Sequence, residues 1–212
     1  MKAARLALSL AGVLTLSACS SLNPFSSEGK PPALKPLTSP VGMSVSWRAR
    51  VDEAGVFVFQ PAVVSGAVFA VGKDGEVARI ESGRTVWKMP LKTTVSGGVG
   101  SDGSLVVVGT PKGEVIALDA ATGQLKWRTA INAEVLAAPA VSNGMVVVRS
   151  ADSRLFGLDA ADGKRRWTYL RATPPLALRN AAGVVMEGNF VIAGYPGGKL
   201  VAVNGTNGSL AW

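Results

Sequence analysis

The side chains that most often carry catalysis are nearly absent from this sequence. Its 212 residues include no histidine and a single cysteine, Cys19. Catalytic triads and shuttles built on histidine, and zinc sites built on paired cysteines, are therefore excluded. We expect no cofactor and no metal site.

The remaining candidates for chemistry are turn residues. Several aspartates lie at or beside Gly-containing turns, where the carboxylate typically accepts hydrogen bonds from the backbone. They are Asp74, Asp102, Asp119, Asp159 and Asp162. Gly98 to Gly103 formally matches the GxGxxG pattern, but an apolar strand at Leu105 to Val108 follows it, so no helix N-terminus is available for a phosphate. We interpret these residues as structural.

Cys19 ends a segment with the features of an export signal. Lys2 and Arg5 precede an apolar stretch at residues 6–16, and Leu16-Ser17-Ala18-Cys19 places small residues before the cysteine. This is the pattern of a bacterial lipoprotein signal, in which the thiol accepts a diacylglycerol. We predict a signal peptide at 1–18 and lipidation at Cys19; the alternative is a free cysteine at the end of an ordinary signal peptide. Ser20 follows, where inner-membrane retention would place Asp, so the resemblance to sorted lipoproteins implies the outer membrane, facing the periplasm.

Residues 19–42 carry the cysteine and are rich in Pro and Ser, which predicts an extended tether before a folded region at 43–212. The whole chain has a net charge of +8, and removal of Lys2 and Arg5 leaves 20 − 14 = +6. The basic residues are scattered among turns and few aromatics lie between them. We therefore predict no nucleic-acid binding.

The folded region repeats a unit of about 40 residues. All the tryptophans fall in one series, Trp47, Trp87, Trp127, Trp167 and Trp212, with spacings of 40, 40, 40 and 45. Each of the last four tryptophans has a glycine four residues before it: Gly83, Gly123, Gly163 and Gly208. A fixed period of this size indicates an array of equal supersecondary units.

Each unit is predicted to contain four short strands. Val106 to Val108 is a β-branched run, residues 113–119 form a second strand, and residues 124–128 carry the Trp after a turn at Asp119 to Gly123. A further strand fits around 93–99 or 135–141. Four antiparallel strands per repeat predict an all-β fold, a β-propeller, in which the Trp packs one blade on the next.

The pattern Leu-Asp-x-x-Thr/Asp-Gly-x-x-x-Trp, as at Leu118 to Trp127, resembles the repeat of the quinoprotein (PQQ-type) propellers. That superfamily contains both dehydrogenases and non-enzymatic scaffolds. Repeats at 56–92, 93–132, 133–170 and 185–212 predict about four blades, preceded by a lone strand at Met43 to Val51. Because the sequence stops on a blade Trp, we interpret it as about half of a larger propeller with an open edge.

One connection is longer than the others. From Trp87 to Val108 and from Trp127 to Val148 there are 21 residues, whereas Trp167 to Ala193 spans 26. The extra residues bring Leu176, Leu178 and Arg179, and two apolar anchors beside an Arg are typical of an interface hot spot. The alternative is that both leucines fold back onto the blade as an ordinary strand.

Together, the lipoprotein signal, the tether, the Trp47 segment and this connection resemble the BamB family of outer-membrane assembly lipoproteins. The resemblance implies an eight-bladed propeller, of which the blades in this chain would be part. It also implies a scaffold without enzymatic activity that binds the POTRA domains of BamA beside other assembly lipoproteins, and that helps nascent outer-membrane β-barrel proteins fold and insert. In that family a Leu-x-Leu-Arg motif contacts BamA, and it corresponds here to Leu176, Leu178 and Arg179. The acidic residues that the family uses in a later blade loop would lie beyond residue 212.

Two other functions remain open. A fragment of a PQQ dehydrogenase would share the Trp repeat, but those enzymes carry an adjacent cysteine pair and an acidic calcium centre, and this chain has one cysteine. A different lipoprotein propeller could bind peptide or cell-wall ligands.

Overall fold

The computed structural model describes residues 42–171 and 181–212. Within these ranges every regular element is a β-strand, and no helix is long and apolar enough to cross a membrane. Backbone contacts divide the chain at Ser44, and the unit Val45–Trp212 holds all the strands described. The strands are β1 (Ala62–Val64), β2 (Ala67–Val71), β3 (Glu76–Glu81), β4 (Arg84–Pro90), β5 (Gly100–Ser101), β6 (Leu105–Gly109), β7 (Glu114–Asp119), β8 (Leu125–Ala130), β9 (Ala140–Ser142), β10 (Met145–Arg149), β11 (Leu155–Asp159), β12 (Arg165–Tyr169), β13 (Val184–Glu187), β14 (Phe190–Tyr195) and β15 (Lys199–Asn204).

The strands form one sheet per sequence repeat. Among the described residues, β1–β4, β5–β8 and β9–β12 make three four-stranded sheets, and β13–β15 make a three-stranded sheet. In each sheet the spatial order of the strands follows the chain, and every pairing is antiparallel. Each sheet is thus a meander, as in a propeller blade. The predicted β-propeller fold is confirmed.

The apolar strands are buried on both faces. Along β6, Val106 and Val108 pack in a cluster with residues of the first blade, whereas Leu105 and Val107 pack against the third blade. Because successive side chains point to opposite faces of a sheet, a blade between two neighbours needs an unbroken apolar run. The Val-Val-Val sequences of β6 and β10 meet this requirement.

The predicted hairpin turn between β7 and β8 is confirmed. The backbone N–H of Gly123 donates to the Asp119 carbonyl at 2.8 Å, and an Asp119 carboxylate oxygen accepts from the N–H groups of Ala121 and Thr122. Gly123 has a φ of +73°, in the left-handed region that favours glycine. The Asp therefore holds the turn, and the Gly allows it to close.

Three of the tryptophans dock on the following blade through a hydrogen bond and a glycine contact. The indole N–H groups of Trp87, Trp127 and Trp167 donate to the carbonyls of Ala120, Ala160 and Gly205, at 3.1, 2.9 and 2.6 Å. Their rings lie against the turn glycines of those same blades, at Gly123, Gly163 and Gly208. The prediction that Trp packs one blade on the next is confirmed. The glycine four residues before a Trp serves the Trp of the preceding blade.

Three predicted strands are wrong in place or in kind. Residues 42–61 contain no strand, although one was expected at Met43 to Val51. This part of the chain is held by isolated hydrogen bonds, such as the one from the Lys73 N–H to the Glu53 carbonyl at 2.7 Å. The strands expected at 93–99 and 135–141 are shorter and begin later, as β5 at Gly100–Ser101 and β9 at Ala140–Ser142. The N–H groups of Ser96 and Gly97 both donate to the Gly109 carbonyl, which a regular ladder does not allow.

Candidate functional site

The residues predicted to carry function lie outside the described part of the chain. Cys19 belongs to residues 1–41, and Leu176, Leu178 and Arg179 belong to residues 172–180. Their predicted roles in lipidation and partner binding therefore stay predictions. The site can instead be built from the strands that lead into and out of the 172–180 connection.

The connection leaves β12 after Tyr169 and re-enters β13 at Val184. Tyr169 pairs with Leu155, and Leu155 pairs with Arg149 at the end of β10. On the other side, Val184 pairs with Ala193, two residues before the end of β14 at Tyr195. Antiparallel pairing thus brings the ends of β10, β12 and β14 to the same edge of the molecule as the connection.

Arg149 and Tyr195 form the centre of this edge. The Arg149 side chain is almost completely buried, at 2% exposure, and its guanidinium carbon lies 4.8 Å from the centroid of the Tyr195 ring. Tyr169 meets the same ring edge-on, with centroids 6.5 Å apart. The residues that flank the connection converge here as well: the Arg171 guanidinium lies 5.8 Å from the Tyr195 centroid, and Nη1 of Arg149 donates to the Ala182 carbonyl at 3.4 Å.

A buried charge at this strand position is peculiar to the third blade. The equivalent residues, identified by their ladder partners six residues later, are Val71, Gly109 and Gly194. Sequence reasoning did not single out Arg149. The signal was present, because Val146-Val-Val-Arg149 follows the register of Val106-Val-Val-Gly109 and departs from it only in the last residue.

Burial shifts the pKa values of Arg149 and Tyr195 and leaves several of their polar atoms without hydrogen-bond partners among the described residues. Burial lowers the pKa of Arg149, yet a guanidinium remains charged in any protein environment. Burial raises the pKa of Tyr195 to about 12, although the nearby Arg149 charge acts in the opposite direction. Among the described residues, Nε and Nη2 of Arg149 and the Tyr195 hydroxyl have no hydrogen-bond partner. Buried donors of this kind are rare and costly, which marks the pair as a candidate binding site.

The turn carboxylates behave differently. Hydrogen bonds from Thr122 lower the pKa of Asp119, and the hydrogen bond from Arg166 lowers that of Asp159. At Asp102, burial alone would raise the pKa, but hydrogen bonds from the backbone of Leu105 and Ser104 lower it. These groups stay ionised at neutral pH and serve the backbone, as predicted. Within the described ranges, no three metal-binding side chains come together.

Tyr195 gives a testable pH dependence. A tyrosine in an unfolded chain titrates near pH 10, whereas the pKa of Tyr195 in the folded protein is about 12. Folding favours the neutral form of Tyr195. The contribution of this form to the free energy of unfolding is fully present below about pH 10 and is lost as the pH rises toward 12. Between those values we expect the wild type to lose about 1–2 kcal/mol more unfolding free energy than Tyr195→Phe. Urea unfolding followed by circular dichroism at both pH values measures this, and equal losses would contradict it.

Comparison with known proteins places this architecture in a family. The family profile described as outer membrane protein assembly factor BamB matches residues 73–212. The BamB of Bordetella pertussis is 39% identical over 213 residues, covering 100% of this chain and 55% of the relative. The chain therefore spans about half the length of the curated relatives that it matches.

Solved structures agree at the level of the fold. The crystal structure of BamB from Moraxella catarrhalis superposes with a TM-score of 0.69 at 29% identity, over 73% of this chain and 47% of that one. A quinohemoprotein alcohol dehydrogenase from Comamonas testosteroni gives a TM-score of 0.59 at 20% identity, over 76% of this chain and 35% of that one, which is evidence for the fold alone. With two thirds of its residues matched by the family profile, the chain belongs to the family of the outer membrane protein assembly factor BamB.

Proposed function

We propose that this chain is a scaffold, without enzymatic activity, in the assembly of outer-membrane proteins. The observation that carries the proposal is the match of residues 73–212 to the BamB family. In this proposal residues 1–18 are a signal peptide, residues 19–42 carry the lipidated Cys19 and a tether, and residues 43–212 form blades of an eight-bladed ring. The lipid holds the protein on the outer membrane, facing the periplasm, and so raises its local concentration near membrane partners.

The partner in this proposal is the POTRA region of BamA, with other assembly lipoproteins and nascent barrel proteins nearby. Leu176 and Leu178 are buried against BamA, and Arg179 pairs with a carboxylate of BamA. Two observations support this site. The connection that carries these residues is the longest between blades, and its described flanks, Arg171 and Ala182, both contact the Arg149–Tyr195 pair.

The test is the affinity of the purified chain for the isolated POTRA domains. We expect the double variant Leu176→Ala/Arg179→Ala to bind at least about 10-fold more weakly, because one apolar anchor and one charged hydrogen-bonded contact are lost. Biolayer interferometry gives the dissociation constant, and circular dichroism verifies that the fold is unchanged.

The matched control is Leu125→Ala. Leu125 is about half exposed at the start of β8, whereas the connection begins after the end of β12. It should bind like the wild type. If the double variant also binds like the wild type, this connection is not the docking site.

A further inference from the structure

The unpartnered donors of Arg149 and Tyr195 share one chemical preference. We propose that these two residues form a socket for a single carboxylate, which an acidic side chain of the protein partner supplies. The socket rests on the proposed function in one respect: the partner must dock at the edge where the 172–180 connection leaves the blades. The socket adds a charged contact to the apolar contact that we propose for Leu176 and Leu178.

The arrangement of engaged and unpartnered nitrogens on the Arg149 guanidinium fits a carboxylate. Nη1 is engaged with the Ala182 carbonyl, while Nε and Nη2 have no partner among the described residues. Nε and Nη2 are neighbours along one side of the guanidinium, and their two parallel N–H bonds match the two oxygens of a carboxylate. The Tyr195 hydroxyl, also without a partner in the described ranges, is a third donor, on the ring whose centroid lies 4.8 Å from the guanidinium carbon.

The carboxylate nearest to Arg149 in sequence, Asp152, is already bound by Arg154 and by the Ser150 hydroxyl. Between Asp162 and Glu187 the sequence contains no carboxylate, so the 172–180 connection has none to offer. No ion pair among the described residues includes Arg149 or Arg171. A buried cation without a counter-ion is costly, and a carboxylate that pairs with it relieves this cost.

Access to the socket is through the exposed backbone at residues 181–183. These residues are exposed coil, and the bond that joins them to Arg149 is long, at 3.4 Å. An entering carboxylate adds an ionised acceptor at Nε and Nη2, while Nη1 keeps the Ala182 carbonyl. The gain is large for a hydrogen bond because charge-assisted bonds are roughly twice as strong as neutral ones.

Arg149→Met tests whether the arginine serves binding or only packing. Methionine keeps the apolar stem and removes the unpaired charge, so we expect the melting temperature to stay the same or to rise. The POTRA affinity should fall by about 10-fold, since a bidentate charged contact is lost. Arg149→Lys keeps the charge but not the paired N–H edge, and should restore only part of the affinity.

A second measurement is independent of the partner. The Nε–H resonance of Arg149 in the ¹⁵N-labelled full chain is followed by NMR during titration with acetyl-Gly-Glu-Gly-amide, its Gln analogue and inorganic phosphate. We expect a saturable shift with the Glu peptide alone. A shift with phosphate of equal size would overturn the proposal in favour of a general anion site, and no saturable shift with any probe would overturn it outright.

The POTRA binding assay and the peptide titration together distinguish a failure of the proposed function from a failure of the carboxylate socket. If the wild-type chain does not bind POTRA domains, the proposed function fails while the peptide titration still decides whether the socket exists. If POTRA domains bind wild type and Arg149→Met equally well, or if Arg149→Met melts at a lower temperature and binds less only in proportion to its unfolding, the socket is wrong while the docking proposal stands.

Discussion

Trp127→Ala is expected to lower the free energy of unfolding by about 4 kcal/mol, the range found when a large core aromatic is truncated. Trp127 is 7% exposed in the cluster between the second and third blades, and its indole N–H donates to the Ala160 carbonyl at 2.9 Å. The substitution removes the ring, leaves a cavity and deprives a carbonyl of the third blade of its donor. Urea unfolding of the full chain, followed by circular dichroism at constant m-value, measures the loss.

The control is Trp47→Ala, at the same position of the repeat. Trp47 also lies against a turn glycine, Gly83, but it is 44% exposed. We expect this variant to lose about 2 kcal/mol, less than Trp127→Ala, because less apolar area returns to water and no cavity is left between two blades. Similar losses at both positions would show that docking on a glycine, and not burial between blades, sets the contribution of the Trp.

Gly163→Ala should cost about 3 kcal/mol, although it adds a single methyl group. Gly163 has a φ of +72°, which strains any side chain by about 1 kcal/mol. In addition, the new Cβ would lie 2.5 Å from Cε3 of Trp127 and 2.5 Å from the Thr129 hydroxyl. Something must move, and the ring is held by its hydrogen bond to Ala160.

Gly144→Ala separates the two causes. Gly144 has nearly the same φ, +71°, but an added Cβ there would meet no atom within 4 Å. This variant should lose only the backbone part, about 1 kcal/mol. Placed in the Trp127→Ala background, Gly163→Ala should cost less than in the wild type but more than Gly144→Ala, because the ring that it meets is gone and the contact with the Thr129 hydroxyl remains. An unchanged cost there would contradict the contact between blades.

The sequence predicted the blades well because their signals are local. The β-branched run at Val106 to Val108 and the turn at Asp119 to Gly123 are each decided by neighbouring residues, and four copies reinforce one another. The strand expected at 93–99 was displaced because the Gly109 carbonyl, which is distant in sequence, accepts from both Ser96 and Gly97. Local pattern carries no information about such a competing acceptor.

The candidate site was less predictable. The Trp-to-Trp spacing revealed the long connection, and so the region of Leu176, but not the contacts among the strand ends that flank it. Arg149 is one cation among 22 in the sequence, and only the pairing of β10 with β11 and the packing of β14 place it under Tyr195. Burial and missing hydrogen-bond partners are properties of the folded chain, and a strand pattern cannot supply them.

The docking of a Trp on the following blade also determines the order in which the blades can complete their packing during synthesis. An indole and its glycine are separated by 36 residues at Trp47–Gly83, Trp87–Gly123 and Trp127–Gly163, and by 41 at Trp167–Gly208. At synthesis rates of about 5–20 residues per second, each blade waits about 2–8 s for the turn that covers its ring. Maturation therefore runs from the N-terminus toward the C-terminus, and the growing end always presents one uncovered indole, the species that a chaperone would meet.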